Sequence, residues 1–342
     1  MQSQPESPTL SIDKNLLNAT IIFRMNWLAL LFALIPSISQ AHPPKDFPYE
    51  WQFSADTDFI QTNSNFTTNG STSELPLNGH LMNATSKFNF TYRQNSKWQI
   101  YAGADYSYSK STTSNIERTT GGLPYIRVGL RHFLKYKKFD LIPIADLNIA
   151  IRKVDPYTDD VLISDGVSKF TLGTWMLTKW KKIIPYTFLG FTYCTDDFAS
   201  PYMVRFGASY DTGSFSFFGE VLYFSTLIND KYLSNPSARL NVINTVDGGS
   251  FKFYSINPGH TDISGGISYA INPEWNAEFR IDYPFEGVRY PQSMSGTFRV
   301  SWNFGDTDAD REILKNPKIK KNFKSEGKFK DKLEDADQEL FE

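Results

Sequence analysis

Twelve charged residues stand at alternate positions of segments whose other residues are largely apolar. Six are arginines and six are carboxylates: Arg127, Arg131, Arg152, Arg205, Arg280, Arg299, Asp105, Asp140, Asp146, Glu220, Glu278 and Asp282. A guanidinium group pairs readily with a carboxylate, and rows of both can also select charged or polar solutes. The chemistry that this pattern favours is therefore ion pairing, or solute selection, on a shared polar surface.

Nucleophilic, metal-binding and redox chemistry have weaker support. The one cysteine, Cys194, cannot form a disulfide within the chain and excludes metal sites that need two or more of its thiolates. The histidines show no His-x-x-x-His or Glu-x-x-His spacing, and His42, His80 and His260 fall in predicted leader or loop segments. We therefore expect no cofactor, no metal and no catalytic group.

β-Strands are the elements that must position these charges. Segments of about ten residues alternate apolar and polar side chains, the period of a strand with two different faces. In one segment the apolar set is Trp98, Ile100, Ala102, Ala104, Tyr106 and Tyr108. The repeated pattern predicts about twelve antiparallel strands, an even number, as single-chain bacterial barrels require. Aromatic residues form 15% of the chain, as aromatic girdles would need, while the net charge of −2 excludes a general nucleic-acid-binding surface.

The connections between the strands alternate in length. The short ones are residues 93–97, 135–138, 180–182, 211–214 and 272–274, and the long ones are 62–86, 110–122, 153–168, 229–258 and 286–295. Only 196–200 is short where a long loop is expected. Outer-membrane barrels have short periplasmic turns and long external loops, so we predict an all-β fold, a single transmembrane antiparallel up-and-down β-barrel. Any solute or partner specificity is expected in the long loops, above all in 229–258.

The segment Gly296-Thr-Phe-Arg-Val-Ser-Trp-Asn-Phe304 resembles the terminal strand of outer-membrane β-barrel proteins, in which alternating apolar residues end on an aromatic. Phe298, Val300, Trp302 and Phe304 carry this resemblance. It implies recognition by the barrel-assembly machinery and residence in the outer membrane of a Gram-negative bacterium. One departure is that the aromatic is usually the last residue of the chain, whereas residues 305–342 follow it here.

An apolar segment near the N-terminus predicts export. Residues 25–41 contain an apolar stretch too short to span a bilayer comfortably and end in Ser-x-Ala, the pattern of a signal peptide cleaved after Ala41. Translation starts either at Met1, with Lys14 and Arg24 as the basic flank, or at Met25. The rival interpretation is an uncleaved inner-membrane anchor.

The C-terminal residues change abruptly in character. Residues 306–342 are rich in lysine and then in Asp and Glu, a composition that predicts disorder or a lone helix. We expect a charged periplasmic tail that is either solvated or in contact with an anionic periplasmic polymer or lipid headgroups. The predicted organisation is a leader over residues 1–41, an outer-membrane barrel over 42–305 and the tail over 306–342.

Three functions remain open for such a barrel. Inward charges of both signs favour a porin-like passive channel for small polar solutes, although a structural or adhesive barrel would use the same charges as a stabilising network. The third is an outer-membrane lipid hydrolase, which needs a lipid-facing Ser and His within hydrogen-bond reach. His132 falls on the outward face, but no serine stands two positions along, so we predict no enzyme. Outer-membrane lipid is an expected partner, and the sequence does not indicate an oligomeric state.

Overall fold

The computed structural model describes residues 43–44, 47–114, 116–155, 161–246 and 248–307 of the 342-residue chain. The predicted signal peptide, with its cleavage site after Ala41, lies outside these residues. The predicted tail beyond Thr307 lies outside them too. Within the described ranges, no helix has the length and the apolar character that crossing a membrane would need.

β-Strands make up most of the described chain. They are β1 Tyr49–Phe66, β2 Thr72–Glu74, β3 His80–Arg93, β4 Trp98–Thr113, β5 Ile116–Gly122, β6 Tyr125–His132, β7 Leu134–Tyr136, β8 Phe139–Ala150, β9 Lys169–Thr178, β10 Ile183–Cys194, β11 Ser200–Asp211, β12 Phe215–Ile228, β13 Gly259–Ala270, β14 Trp275–Val288 and β15 Tyr290–Thr307. Helical structure in the same residues comprises α1, Ser237–Thr245, and two short 3-10 turns at Pro76–Asn78 and Lys231–Ser234. The predicted all-β class is confirmed.

The strands close into one antiparallel barrel. In the described part of the chain, twelve wall strands follow one another in chain order, with β5, β6 and β7 forming a single interrupted strand. β1 pairs with β3 and also with β15, in a register that runs from Tyr49 opposite Thr307 to Phe66 opposite Tyr290. This last ladder removes the free edges that lipid would not tolerate. The predicted barrel of about twelve strands is confirmed, and its first and last strands start and end at the same rim.

Alternation along each strand separates an outer face from an inner one. The outward side chains of Leu189 and Phe206 are each 63% exposed, whereas the neighbouring inward side chains of Phe188 and Arg205 are 1% and 6% exposed. A belt of aliphatic and aromatic side chains around the wall is the surface that hydrocarbon solvates. The exposure pattern follows the alternation predicted from the sequence.

Several strands run well past their predicted ends. β14 and β15 meet at Arg289, which has a φ of 48°, so the predicted long loop 286–295 is wrong. β1 and β4 have 18 and 16 residues, against the about 9–11 that cross a bilayer. β9, by contrast, has 10 residues. The wall is therefore tall beside β1, β4 and β15 and low beside β9.

One arc of the interior is apolar. The buried cluster on β8 to β12 consists of Ile142, Ile144, Trp175, Tyr186, Phe188, Met203 and Leu222. The ring centre of Trp175 lies 4.7 Å from that of Phe188 and 5.8 Å from that of Tyr186. The expected polar interior of mixed charge thus includes an apolar cluster that the sequence analysis did not predict. Residues 141–145 are apolar at every position, so alternation alone does not distinguish their inner face.

Replacing Trp175 by Ala should destabilise the barrel, because this fully buried ring fills the centre of the apolar cluster. We expect a loss of about 3–5 kcal/mol in the free energy of unfolding, as is typical of a large aromatic removed from a core. The control is Trp180→Ala, since Trp180 is 67% exposed and surface changes cost within about 0.5 kcal/mol. Guanidinium unfolding in detergent, followed by circular dichroism, measures both variants. Equal losses would contradict this packing.

Candidate functional site

Three groups of paired charges lie on the inner wall, near the middle of their strands. The first is centred on Glu220 of β12, whose side chain is 0% exposed. Arg205 and Arg280 place guanidinium nitrogens 2.5 and 2.7 Å from its Oε1. The Tyr186 hydroxyl donates to Oε2 at 3.0 Å, and Arg280 Nε donates to Asp282 at 2.5 Å. Two cations and two carboxylates share one network, which compensates the cost of burying them.

The second group joins the first and last strands of the wall. Arg299 of β15 donates from Nε and Nη2 to the two carboxylate oxygens of Asp56 on β1, at 2.5 and 3.1 Å. Its Nη1 also lies 3.8 Å from Glu278 Oε1. Next to this pair, Lys87 of β3 is ion-paired with Asp58 of β1. A two-pronged guanidinium–carboxylate contact is geometrically specific, so this group fixes the register of the closing ladder.

The third group lies on β4, β6 and β8. Arg127 Nε is 2.7 Å from Asp105 Oδ1, with the two side chains 2% and 8% exposed. The Arg131 guanidinium lies 4.3 Å from the ring centre of Tyr101. The Tyr101 side chain is hydrogen-bonded to Asp146, which is itself buried. The group thus combines an ion pair with a cation–π contact, both shielded from water.

Asp140 and Arg152 lie apart from these groups. Asp140 is exposed at the periplasmic end of β8, where it borders a cavity together with Lys135 and Lys179. Arg152 follows the end of β8 and borders a small space beside residues 161–164. Ten of the twelve predicted charges therefore come together in the barrel interior, and these two do not.

Two interior aromatic rings lie against glycines of the neighbouring strand. A Cβ on Gly129 would come within 2.2 Å of Tyr101 Cζ, and one on Gly207 within 2.6 Å of the Tyr186 ring. A side chain at either position would therefore displace the ring from its place in the charged groups.

Two cavities open at the periplasmic end of the barrel. One of about 280 Å³ reaches Arg131 and Arg299, so it touches two of the three charged groups. The other, of about 780 Å³, is lined by the charged residue Asp140 and by the apolar residue Ile142. Residues 43–44 border both cavities. These two residues therefore lie at the periplasmic mouth, between the two cavities.

The external end is covered by residues 229–258, here called the lid, all described except residue 247. Asn65 of β1 holds it from the tall side of the wall. The Asn65 side-chain amide donates to the Gly249 carbonyl at 2.7 Å, and its oxygen accepts from the Phe251 backbone N–H at 3.2 Å. The loop that was expected to carry specificity thus folds over the barrel opening.

Arg239 of α1 anchors the lid internally. Its Nη2 lies 2.9 Å from Asp230 Oδ2, with the two side chains 2% and 0% exposed. The guanidinium also lies 3.4, 4.9 and 4.7 Å from the ring centres of Phe198, Tyr232 and Tyr254. This anchor could not be predicted from the sequence, because charges nine positions apart in a loop match no strand or helix period.

The three histidines in the described residues lie on strands of the wall. His132 faces outward with its ring centre 3.9 Å from that of Trp98, and its Nδ1 lies 3.1 Å from the Lys97 carbonyl oxygen. The expectation that His80 and His260 lie in loops is wrong, because they stand on β3 and β13. No group of three or more potential metal ligands occurs in the described chain.

The residues of the terminal-strand motif face outward on β15. The Trp302 ring centre lies 4.5 Å from that of Phe304 and 5.7 Å from that of Trp275. Phe298 is 52% exposed and Val300 stands opposite Ala277. These side chains form a segment of the aromatic girdle near the periplasmic rim.

No family model matches the sequence, and no curated protein matches it. Among solved structures, the COG4313 outer membrane channel from Pseudomonas putida F1 is similar, with a TM-score of 0.59 and 9% identity over 78% of this chain and 100% of that chain. The chain has the fold of an outer-membrane channel. The expected porin-like resemblance, with about twelve strands, is confirmed at the level of fold.

Two porins are more distantly similar. KdgM in complex with disordered oligogalacturonate has a TM-score of 0.41 and 8% identity, over 73% of this chain and 99% of that one. NanC has a TM-score of 0.43 and 9% identity, over 73% of this chain and 100% of that one. These values add nothing beyond the barrel architecture.

Removing Glu220 should strongly destabilise the protein, because Arg205 and Arg280 would lose the carboxylate that they share. For Glu220→Ala we expect a loss of about 3–5 kcal/mol in the free energy of unfolding. The control is Glu117→Ala. The Glu117 side chain is 56% exposed, and its carboxylate lies 2.7 Å from Lys110 Nζ. Exposed pairs contribute at most about 1 kcal/mol. Urea unfolding in detergent compares the two, and similar losses would contradict the buried network.

Proposed function

We propose that the protein is a porin-like passive channel of the outer membrane for small polar solutes. The observation that carries this proposal is a closed barrel in which the cavities at both ends are lined in part by charged side chains. Apolar outward side chains suit lipid, while inward charges offer a polar route with defined electrostatics. The COG4313 outer membrane channel, whose fold this chain resembles, supports the proposed channel at the level of fold.

The proposed route is narrow. Arg127, Asp146 and Glu220 are nearly fully buried, so their side chains fill much of the interior at that level. The lid covers the external opening, and residues 43–44 border the cavities at the periplasmic one. We therefore expect small, brief conductance events rather than the steady current of a wide porin. Passage would depend on movement of interior side chains and of the lid.

Assembly and partners complete the proposal. We expect cleavage after Ala41, and recognition of Phe298, Val300, Trp302 and Phe304 by the barrel-assembly machinery. Outer-membrane lipid would contact the outward belt. The lysine-rich residues of the predicted tail would contact an anionic periplasmic polymer.

A structural or adhesive barrel is the alternative that specific contacts favour. The pair of Arg299 with Asp56, in the ladder between β1 and β15, is bidentate. Such a pair strengthens the wall whether or not solutes pass through the barrel. A lipid hydrolase has less support, since the His132 ring is stacked on Trp98 and its Nδ1 lies beside a backbone carbonyl oxygen.

Single-channel recording in planar bilayers tests the channel. Replacing Arg131 by Gln removes a lumen cation, so the ion preference should shift toward cations, and Asp146→Asn should shift it toward anions. Lys181→Gln, in the turn between β9 and β10, serves as the matched surface control and should change neither. Each variant must first show native β-sheet content by circular dichroism.

A folded native protein that never conducts would reject the channel and favour the structural alternative. If the protein conducts but neither lumen substitution changes its ion preference, the proposed route past these charges is rejected. A lipid-hydrolysis assay on the same sample addresses the third function. Activity that is present in the native protein and lost in His132→Ala would replace the channel proposal with an enzyme.

A further inference from the structure

Beneath the lid lies a separate cavity of about 280 Å³ inside the external end of the barrel. The wall contributes Lys169, Phe224 and Tyr290, while the lid contributes Phe251 and Lys252. The lid thus supplies both part of the roof and a positive charge. A space closed partly by a loop and lined by apolar and polar groups together is typical of a small-molecule site.

Most charges around this cavity already have a partner. Lys169 Nζ lies 2.5 Å from Asp165 Oδ2. Asp262 Oδ1 lies 2.6 Å from His260 Nδ1. The Lys87 ammonium, whose charge also acts on Lys252, is ion-paired with Asp58 of β1. The cations and carboxylates of the wall therefore neutralise each other locally.

Lys252 differs from these residues. In the part of the chain that the structure describes, no carboxylate lies within 4.0 Å of its Nζ. Burial lowers the pKa of Lys252 to about 8, and the nearby ammonium groups of Lys87 and Lys169 lower it too. The carboxylates of Asp58 and Asp262 act in the opposite direction. An ammonium group without a close counter-ion, in a partly closed space, is a ready site for an anion.

Aromatic rings form much of the remaining surface. Phe224, Phe251, Phe253 and Tyr290 border the cavity, with the hydroxyl groups of Thr171 and Thr192 in the wall below. Phenylalanine and tyrosine faces pack well against a flat apolar body. The cavity volume of about 280 Å³ lies at the lower end of the range for small-molecule sites, so the cavity suits a small ligand.

We propose that this cavity binds a small monoanion with a planar apolar body, such as an aromatic carboxylate, with its carboxylate at Lys252 and its ring among the phenylalanines. The inference deepens the proposed channel function and rests on it, since it names the class of solute that would pause below the lid. A cation of the same size would meet an unpaired ammonium group and be repelled. A neutral analogue would leave Lys252 without its counter-ion.

Isothermal titration of the full-length protein in detergent, with benzoate as the probe, tests the site. Benzyl alcohol and benzylamine are the neutral and cationic comparators and should bind more weakly. Lys252→Gln should weaken benzoate binding about tenfold, the usual scale for losing a hydrogen bond to a charged group. Lys252→Arg should retain binding. Lys231→Gln, on a lysine of the same lid whose side chain is 43% exposed, should leave it unchanged.

The pH profile provides a second readout. Benzoate remains ionised near neutral pH, so its affinity should follow the protonated fraction of Lys252. That fraction falls as pH rises through a pKa of about 8, and affinity should therefore drop between about pH 7 and about pH 9. In Lys252→Gln the profile should be flat.

Benzoate binding that is unchanged in Lys252→Gln, or benzylamine binding as tight as that of benzoate, would overturn this assignment. Absence of benzoate binding in a protein that still conducts would reject the site and leave the channel. Lysine-dependent binding in a protein that never conducts would reject the channel and leave the site.

Discussion

A bilayer offers no water to the backbone, and this single constraint organises the molecule. Every N–H and C=O group in the wall must find a partner, so the first strand has to pair with the last. The ladder between β1 and β15 meets that requirement over nearly the whole length of both strands. Once the sheet is closed, alternate side chains must face either lipid or the interior, and charges can only face the interior. The polar network is therefore a consequence of closure.

The interior then has to accommodate the charges that closure has placed there. Glu220 is shared by two guanidinium groups, and Asp56 accepts two hydrogen bonds from Arg299. Buried ion pairs add little net stability over apolar substitutes, but they penalise every register that separates them. The apolar cluster around Trp175 supplies close packing on β8 to β12. Tyr186 belongs to both arrangements, because its ring packs in this cluster and its hydroxyl donates to Glu220. Directional contacts and close packing thus hold neighbouring parts of the same wall.

Local periodicity explains which features were accessible from the sequence. Residues 98–108 alternate cleanly, so their two faces, and the even number of strands, could be predicted. The pairing of Arg280 with Glu220 could not, because these residues are 60 positions apart and lie on strands separated by a third. The length of β14 could not be predicted either. Residues 286–295 have a composition typical of a loop, although they form ladder pairs. The lid, like Lys252 within it, is positioned by tertiary contacts that have no period at all.

The unequal height of the wall has a consequence for how the protein meets its surroundings. β1 and β15, with 18 residues each, project well beyond what the hydrocarbon layer needs, whereas β9, with 10, ends near its surface. The external rim of the barrel is therefore high on the side of β1 and β15 and low on the side of β9. Such a rim is oblique to the membrane plane. The lid is attached at the high side of this rim, where the Asn65 side chain donates to the Gly249 carbonyl.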